Sequence, residues 1–201
     1  MRQERRRGAE LEETILAAVS AELSEVGYAR LSMESVAARA HTGKQVLYRR
    51  WRNRAELVMA AVRRRTGSIV DRIPDTGALR TDVLAVLEVM TRRRQEIGVD
   101  VVHGVLAELP DLDPGLFTIM NEVMGTILEK AAERGEIAGG GLPPRVVTLP
   151  VDLLRYQLLL TRDPIEESTM TEIVDDVFLP LVLALAGPVR SAAPSPERPR
   201  R

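Results

Sequence analysis

Residues 41–54 hold the densest group of side chains suited to binding a polyanion. The stretch contains no acid: the nearest ones are Glu34 before it and Glu56 after it. Lysine and arginine form strong charge-assisted hydrogen bonds with phosphate oxygens, and a neighbouring carboxylate would oppose that binding. The stretch therefore indicates a nucleic-acid contact. Its basic residues are Lys44, Arg49, Arg50, Arg52 and Arg54.

The N-terminal third of the chain is net basic, and the rest of the chain is net acidic. The 201 residues carry a net charge of −1, but residues 1–65 hold 14 basic and 8 acidic side chains, a balance of +6. Residues 66–201 therefore carry −7. Asymmetry of this size indicates nucleic-acid binding by the basic part, but it is a weak signal by itself because any solvated helix can be basic.

The spacing of apolar residues places the basic stretch among helices. Leucine, isoleucine and valine recur every three or four positions from residue 11 to 26, which predicts a helix from Ala9 that Gly27 ends. Ser32 offers an N-cap to a short second helix, without the acid of a full capping box. The residues of the periodic face are Leu11, Ile15, Val19, Leu23 and Val26.

Residues 41–44 break the second helix, and a third short helix is predicted over 44–50. Asn53 then caps a fourth helix whose apolar face extends to Ile73. Two short helices joined by a tight turn form a helix-turn-helix, whose second helix lies in the major groove with its N-terminal residues facing the bases. The predicted reading surface consists of Thr42, Gly43, Lys44, Gln45, Tyr48 and Arg49.

Residues 33–57 resemble the DNA-binding helices of the TetR/AcrR family of bacterial repressors, and the specific match covers residues 9–65. Two positions depart from the family pattern. His41 stands where the turn usually has glycine, so either it adopts a left-handed conformation or the turn differs. Gly43 replaces the usual capping residue of the third helix. The matching residues are Val36, Ala37, Ala40, Lys44, Leu47, Tyr48, Trp51, Glu56 and Leu57.

The resemblance implies roles for individual residues. Tyr48 and Arg54 are expected to bind phosphates, Arg54 at the start of the fourth helix. Lys44 and Gln45 are expected to read guanine and adenine. Arg49 and Arg50 would divide between bases and backbone, while Ser32 would cap the second helix and touch a phosphate.

Beyond the match, the chain reads as further helices, so the fold class is all-α with about nine helices. We divide it into a flexible basic arm (1–8), the helix-turn-helix domain (9–65), an effector-binding and dimerisation domain (66–186) and a disordered tail (187–201). The arm either enters the minor groove or stays solvated. The predicted later helices cover 79–96, 98–109, 114–134, 144–161 and 168–186.

The last two helices are the most apolar of the chain. In the family such helices form a four-helix dimer interface, which would set two reading helices about 34–36 Å apart; the alternative is that they are only domain core. A hydrophobic effector is expected among the middle helices, at residues that ordinary packing would also explain. These residues are Met90, His103, Phe117, Met120, Met124 and Tyr156.

Other functional classes lack the residues they need. The chain has no cysteine, only His41 and His103 as histidines, no phosphate-binding loop and no metal-ligand spacing, so we expect no enzyme, cofactor or metal. No apolar stretch of about 18 residues occurs, which predicts a cytoplasmic protein with no membrane contact. The sequence favours a ligand-responsive repressor that binds a palindromic operator in double-stranded DNA as a homodimer. A helical protein–protein adaptor with non-specific DNA affinity is the alternative.

Overall fold

A computed structural model describes residues 2–67, 72–108, 115–139 and 141–186, and for residues 2–7 and 115–118 the backbone alone. The described residues form helices and contain no strand. With the terminal stretch 167–186 counted as one element, they make nine helical elements, which confirms the all-α prediction. Within these ranges, no helix is long and apolar enough to cross a membrane.

Four helices form the N-terminal part, called the head below: α1 (Arg2–Arg30), α2 (Met33–Arg39), α3 (Lys44–Tyr48) and α4 (Arg54–Thr66). Gly27 has φ 73° and interrupts α1 near its end, as its position in the sequence predicted. The start of α1 corrects the predicted arm, because the backbone is helical from Arg2 rather than from Ala9. Arginine, glutamine and glutamate are good helix formers, and nothing before Gly8 opposes the helix.

The fourth helix is shorter than its apolar pattern predicted. It ends at Thr66, and Gly67 follows with φ 74°, a left-handed conformation that stops a helix. Ile73 therefore lies outside α4, while Ile69 is not among the described residues. The spacing of apolar residues continues past Gly67, although the helix ends before it.

The remaining helices are α5 (Leu79–Ile97), α6 (Val99–Ala107), α7 (Gly115–Glu133) and α8 (Pro144–Leu160). A last helical stretch follows as α9 (Glu167–Thr171), a π-helical segment (Glu172–Phe178) and α10 (Leu179–Ala186). The sequence predicted one regular helix here. A π-helical segment shifts the hydrogen bonds by one residue, and apolar spacing does not reveal such a local change.

Two hydrophobic cores organise these helices, and the boundary between them does not follow the chain. The first core holds apolar side chains of α1–α4 and of the segments that join them, among them Leu47 and Trp51, together with Val101 and Val105 of α6. The second core joins α5, α7, α8 and the terminal stretch. Helix α6 thus follows α5 in the chain but buries its side chains in the head.

Gly104 explains how closely α6 approaches α1. A methyl group at this position would overlap the aromatic ring of Tyr28, which is buried. Glycine inside a helix costs stability, so its presence indicates a close contact. The ring of Tyr28 lies directly on the backbone of α6, and this contact fixes the head against the helix.

Candidate nucleic-acid interface

The turn between α2 and α3 is made by a left-handed histidine. His41 has φ 51°, and the amide of Thr42 donates to the carbonyl of Ala37 at 3.0 Å. This answers the question left open by the sequence, because histidine takes the conformation that the family pattern gives to glycine. His41 itself is exposed.

The start of α2 is held by two serines. Ser32 Oγ accepts the amide of Ser35 at 3.0 Å, and Ser35 Oγ accepts the amide of Ser32 at 3.2 Å. The capping box is therefore complete, with Ser35 in the place of the acid whose absence had suggested a partial cap. In the bond to Ser35, Ser32 Oγ acts as an acceptor, which leaves its proton for another partner.

Helix α3 has only five residues and is anchored by one fully buried side chain, that of Leu47. Trp51, just after the helix, is buried in the same core, as predicted. The other side chains of the predicted reading surface point away from this core. Lys44, Gln45, Tyr48 and Arg49 are exposed, and a side chain at Gly43 would meet nothing within 4 Å.

One acid lies beside this surface despite the acid-free sequence. Glu34, in the first turn of α2, places Oε1 3.6 Å from Nζ of Lys44. Both side chains are exposed, so the pair contributes little to stability and can be exchanged for another partner. Glu34 lies outside the acid-free stretch in the sequence, but the turn brings the start of α2 next to the start of α3.

Arg50 is directed toward α1. Its Nη1 lies 2.9 Å from Oε2 of Glu12, and both terminal nitrogens donate to the carbonyl of Gly8 at 3.4 Å. The predicted role in reading DNA requires this side chain to leave its partners. Arg50 thus differs from Arg49, which is exposed at the end of α3.

Arg54 is the first residue of α4, the position at which the resemblance implies a phosphate contact, but its guanidinium is already bound within the protein. Its Nε and Nη2 donate to Oε1 of Glu108 at 2.9 and 2.7 Å, and Nη1 donates to the carbonyl of Leu31 at 3.1 Å. The guanidinium also lies over the ring of Tyr28, 4.8 Å from its centre. The hydrogen bonds that Arg54 donates to Glu108 raise the pKa of Arg54. The prediction missed this arrangement because Glu108 is 54 residues away in the chain.

Tyr28 lies beneath this ion pair. The ring is buried, and its hydroxyl has no hydrogen-bond partner among the described residues. Burial raises the pKa of Tyr28, and the negative charge of Glu108 raises it further. Tyr28, Arg54 and Glu108 therefore form one cluster at the contact of α1, α4 and α6, called the junction cluster below.

The structure brings only three of the six residues predicted to line an effector pocket into one core. Met124 is fully buried in the second core, and Met90 and Met120 pack against that core. His103 instead donates from Nε2 to the carbonyl of Leu158 at 2.7 Å. It also borders a cleft that Tyr28, Arg54 and Glu108 help to line. The side chain of Phe117 is outside the described residues.

Tyr156 corrects the pocket prediction. Its side chain is 57% exposed on α8, so it lines no enclosed cavity among the described residues. The periodic pattern identified an aromatic residue on an apolar helix but not the face on which it lies. Tyr156 belongs with other exposed large apolar side chains on α8 and the terminal stretch, namely Leu159, Leu160, Val177, Leu183 and Leu185.

The fold and this surface define a class: an all-α protein whose helix-turn-helix presents an exposed basic second helix. Comparison with known proteins gives the family. Residues 15–61 match the model of bacterial regulatory proteins of the tetR family, and residues 73–177 match the model of the tetracyclin repressor-like C-terminal domain. The chain belongs to the TetR family, and it is a DNA-binding transcriptional regulator.

Individual relatives agree with this family. A DNA-binding transcriptional repressor TetR of Mycobacteroides abscessus is 32% identical over 168 residues, covering 78% of this chain and 85% of the relative. An uncharacterized HTH-type transcriptional regulator of Mycobacterium tuberculosis is 32% identical over 186 residues, covering 87% and 90%. A TetR-family regulator from Mesorhizobium loti has the same fold, with TM-score 0.57, 16% identity and coverage of 90% and 98%.

Proposed function

We propose that this regulator is a ligand-responsive repressor that binds a palindromic operator as a homodimer. The similarity to a protein named as a DNA-binding transcriptional repressor supports repression rather than activation. Repression requires only that the bound protein excludes other proteins from the operator, and a ligand relieves it by favouring a conformation that binds DNA less well.

The observation that carries the DNA-binding assignment is the construction of α3. One buried leucine holds the helix to the core, and its polar side chains stand exposed on the other side. Lys44 and Gln45, in the first turn, are assigned to base edges. Thr42, Gly43 and Arg49 flank them, and Tyr48 and Ser32 are assigned to phosphates through their hydroxyl groups.

Dimerisation is assigned to α8 and the terminal stretch. These elements expose six large apolar side chains, from Tyr156 to Leu185, although both also contribute to the second core. Apolar side chains concentrated on two neighbouring elements are typical of a protein interface. A second copy of this chain would cover them and form a bundle of paired helices.

The effector site is assigned to the second core, near Met90, Met120 and Met124. Methionine side chains adapt to apolar guests of varied shape, which supports a hydrophobic effector. With this assignment, α5, α7 and α8 bind the effector and are called the sensing unit below. Tyr156 is assigned to the dimer interface instead.

The experiment is selection of bound duplexes from a random pool with the full chain and with Gln45→Ala. We expect the full chain to select a palindrome with half-sites about one turn apart. Gln45→Ala should lose discrimination of about 1–3 kcal/mol at one position of each half-site. Tyr48→Phe serves as control, because losing a phosphate contact weakens all sequences alike. Selection of no sequence, with binding lost at modest salt, would favour the adaptor instead.

A further inference from the structure

In the junction cluster, each nitrogen of the Arg54 guanidinium donates a hydrogen bond. Nε and Nη2 are both directed at Glu108, and Nη1 is directed at the carbonyl of Leu31. A guanidinium offers five N–H donors in one plane, and Glu108 occupies its Nε–Nη2 edge, so a phosphate that binds along this edge must displace the carboxylate. Along this edge, Nε and Nη2 of Arg54 therefore cannot donate to Glu108 and to a phosphate at the same time.

The pair is accessible enough to exchange partners. The side chains of Arg54 and Glu108 are 35% and 25% exposed, and both border a cleft of about 670 Å³ between α1, α4 and α6. Ion pairs with this much contact with water are weak, which makes a phosphate an effective competitor.

Glu108 reaches this position from outside the head's own sequence. It is the residue that ends α6, whose Val101 and Val105 are buried in the head core and whose Gly104 contacts Tyr28. Through His103, the same helix contacts the carbonyl of Leu158 in α8. The carboxylate beside Arg54 is therefore held by a helix that also contacts the sensing and dimerisation unit.

We propose that Glu108 sets the affinity of this regulator for DNA by competing with an operator phosphate for Arg54. The inference rests on the proposed function and adds to it the predicted contact of Arg54, at the start of α4, with an operator phosphate. In the free protein Glu108 neutralises Arg54; on the operator the phosphate replaces it. A displacement of the end of α6 changes how strongly Glu108 holds the guanidinium, and so changes DNA affinity.

The test is a double-mutant cycle on operator binding by the full chain, with Glu108→Gln, Arg54→Gln and the double variant. We expect Glu108→Gln to bind the selected operator about three- to tenfold more tightly, since the competitor of the phosphate is gone. In the Arg54→Gln background the same change should have no effect, because no guanidinium remains to be released.

Asp100→Asn provides the matched control. Asp100 also lies on α6 and borders the same cleft, and it pairs with Arg162 at 2.5 Å. Replacing it with an amide changes the net charge by the same amount without touching Arg54. Equal tightening by Asp100→Asn would attribute the gain to net charge and overturn the proposal.

Two further outcomes also decide the matter. Weaker binding by Glu108→Gln would show that Glu108 orients the head, and the competition would be rejected. If this variant does not fold, Glu108→Asp withdraws the carboxylate by one methylene and should give a smaller gain of the same sign; no gain rejects the proposal. Failure of the unchanged protein to bind any selected duplex would instead defeat the proposed function, and the inference with it.

Discussion

The surface of the head around α3 and the outer face formed by α8 and the terminal stretch differ in what they leave exposed. The first exposes polar and basic side chains on a helix of five residues held by Leu47. The second exposes large apolar side chains, such as Leu160 and Leu183, on longer helical elements. A polar exposed surface can exchange water for phosphate, whereas an apolar one gains stability only when covered. The two surfaces therefore suit partners of different chemistry, and we expect that each can be disrupted separately.

The largest effect is expected from placing a charge on the apolar face. Leu183→Glu should abolish dimerisation, because a carboxylate would lose its water in the interface. Without the second reading helix, operator affinity should fall about 100-fold or more. Sedimentation measures the dimer and fluorescence anisotropy the affinity. Glu88→Lys, a charge change at an exposed site on α5, should leave both unchanged; a dimeric Leu183→Glu would place the interface elsewhere.

The second effect concerns the single anchor of α3. Leu47→Ala should destabilise the protein by about 2–5 kcal/mol through the cavity it leaves, and operator affinity should fall with it. Leu154→Ala, equally buried but in the second core, should cost a similar free energy of unfolding while folded molecules still bind DNA. Thermal unfolding and anisotropy measured on both variants check this. Equal loss of DNA binding in both would mean that the two surfaces are not separable.

A smaller effect is expected where α6 meets α1. Gly104→Ala would press a methyl group into the ring of Tyr28 and should destabilise the protein by about 1–3 kcal/mol. Gly125→Ala is the matched control in α7, where an added methyl group meets none of the described residues within 4 Å. It should stabilise by about 0.5–1 kcal/mol, because alanine is the better helix former. The midpoints of thermal unfolding should therefore move in opposite directions.

The smallest effect belongs to the cap of α2. Ser32→Ala removes the acceptor for the amide of Ser35 and should cost about 1 kcal/mol in the free energy of unfolding. Ser32→Gly keeps the extended backbone and should cost only a few tenths of a kcal/mol. Urea unfolding of the two variants measures the difference. If alanine proved harmless, Ser35 would not depend on Ser32 for its amide bond.

What the sequence could predict was local. Apolar spacing and capping residues gave the helices of the head, the caps at Ser32 and Asn53 and the burial of Leu47, since each depends on residues a few positions apart. It did not predict that Glu108 holds Arg54. Periodicity shows that a helix has a buried face but does not identify the helix that covers it.

The contact at Gly104 had a weak signal in the sequence, whereas the exposed position of Tyr156 had none. Gly104 stands inside an apolar helix, where glycine often marks a close approach, but its partner Tyr28 is 76 positions away in the chain. The shift of Tyr156 from pocket to surface had no such signal. An aromatic side chain on an amphipathic helix fits a core, a ligand site or an interface equally well.

The position of α6 in the head core has an evolutionary consequence. Recombination that joins the first 67 residues to another sensing unit would separate them from Val101, Val105 and the backbone of Gly104, and so remove part of the head's own interior. The unit that can be inherited or transplanted intact is therefore discontinuous in the gene. A working chimaera must carry α6 along with the four N-terminal helices, or supply a foreign helix that fits the same groove.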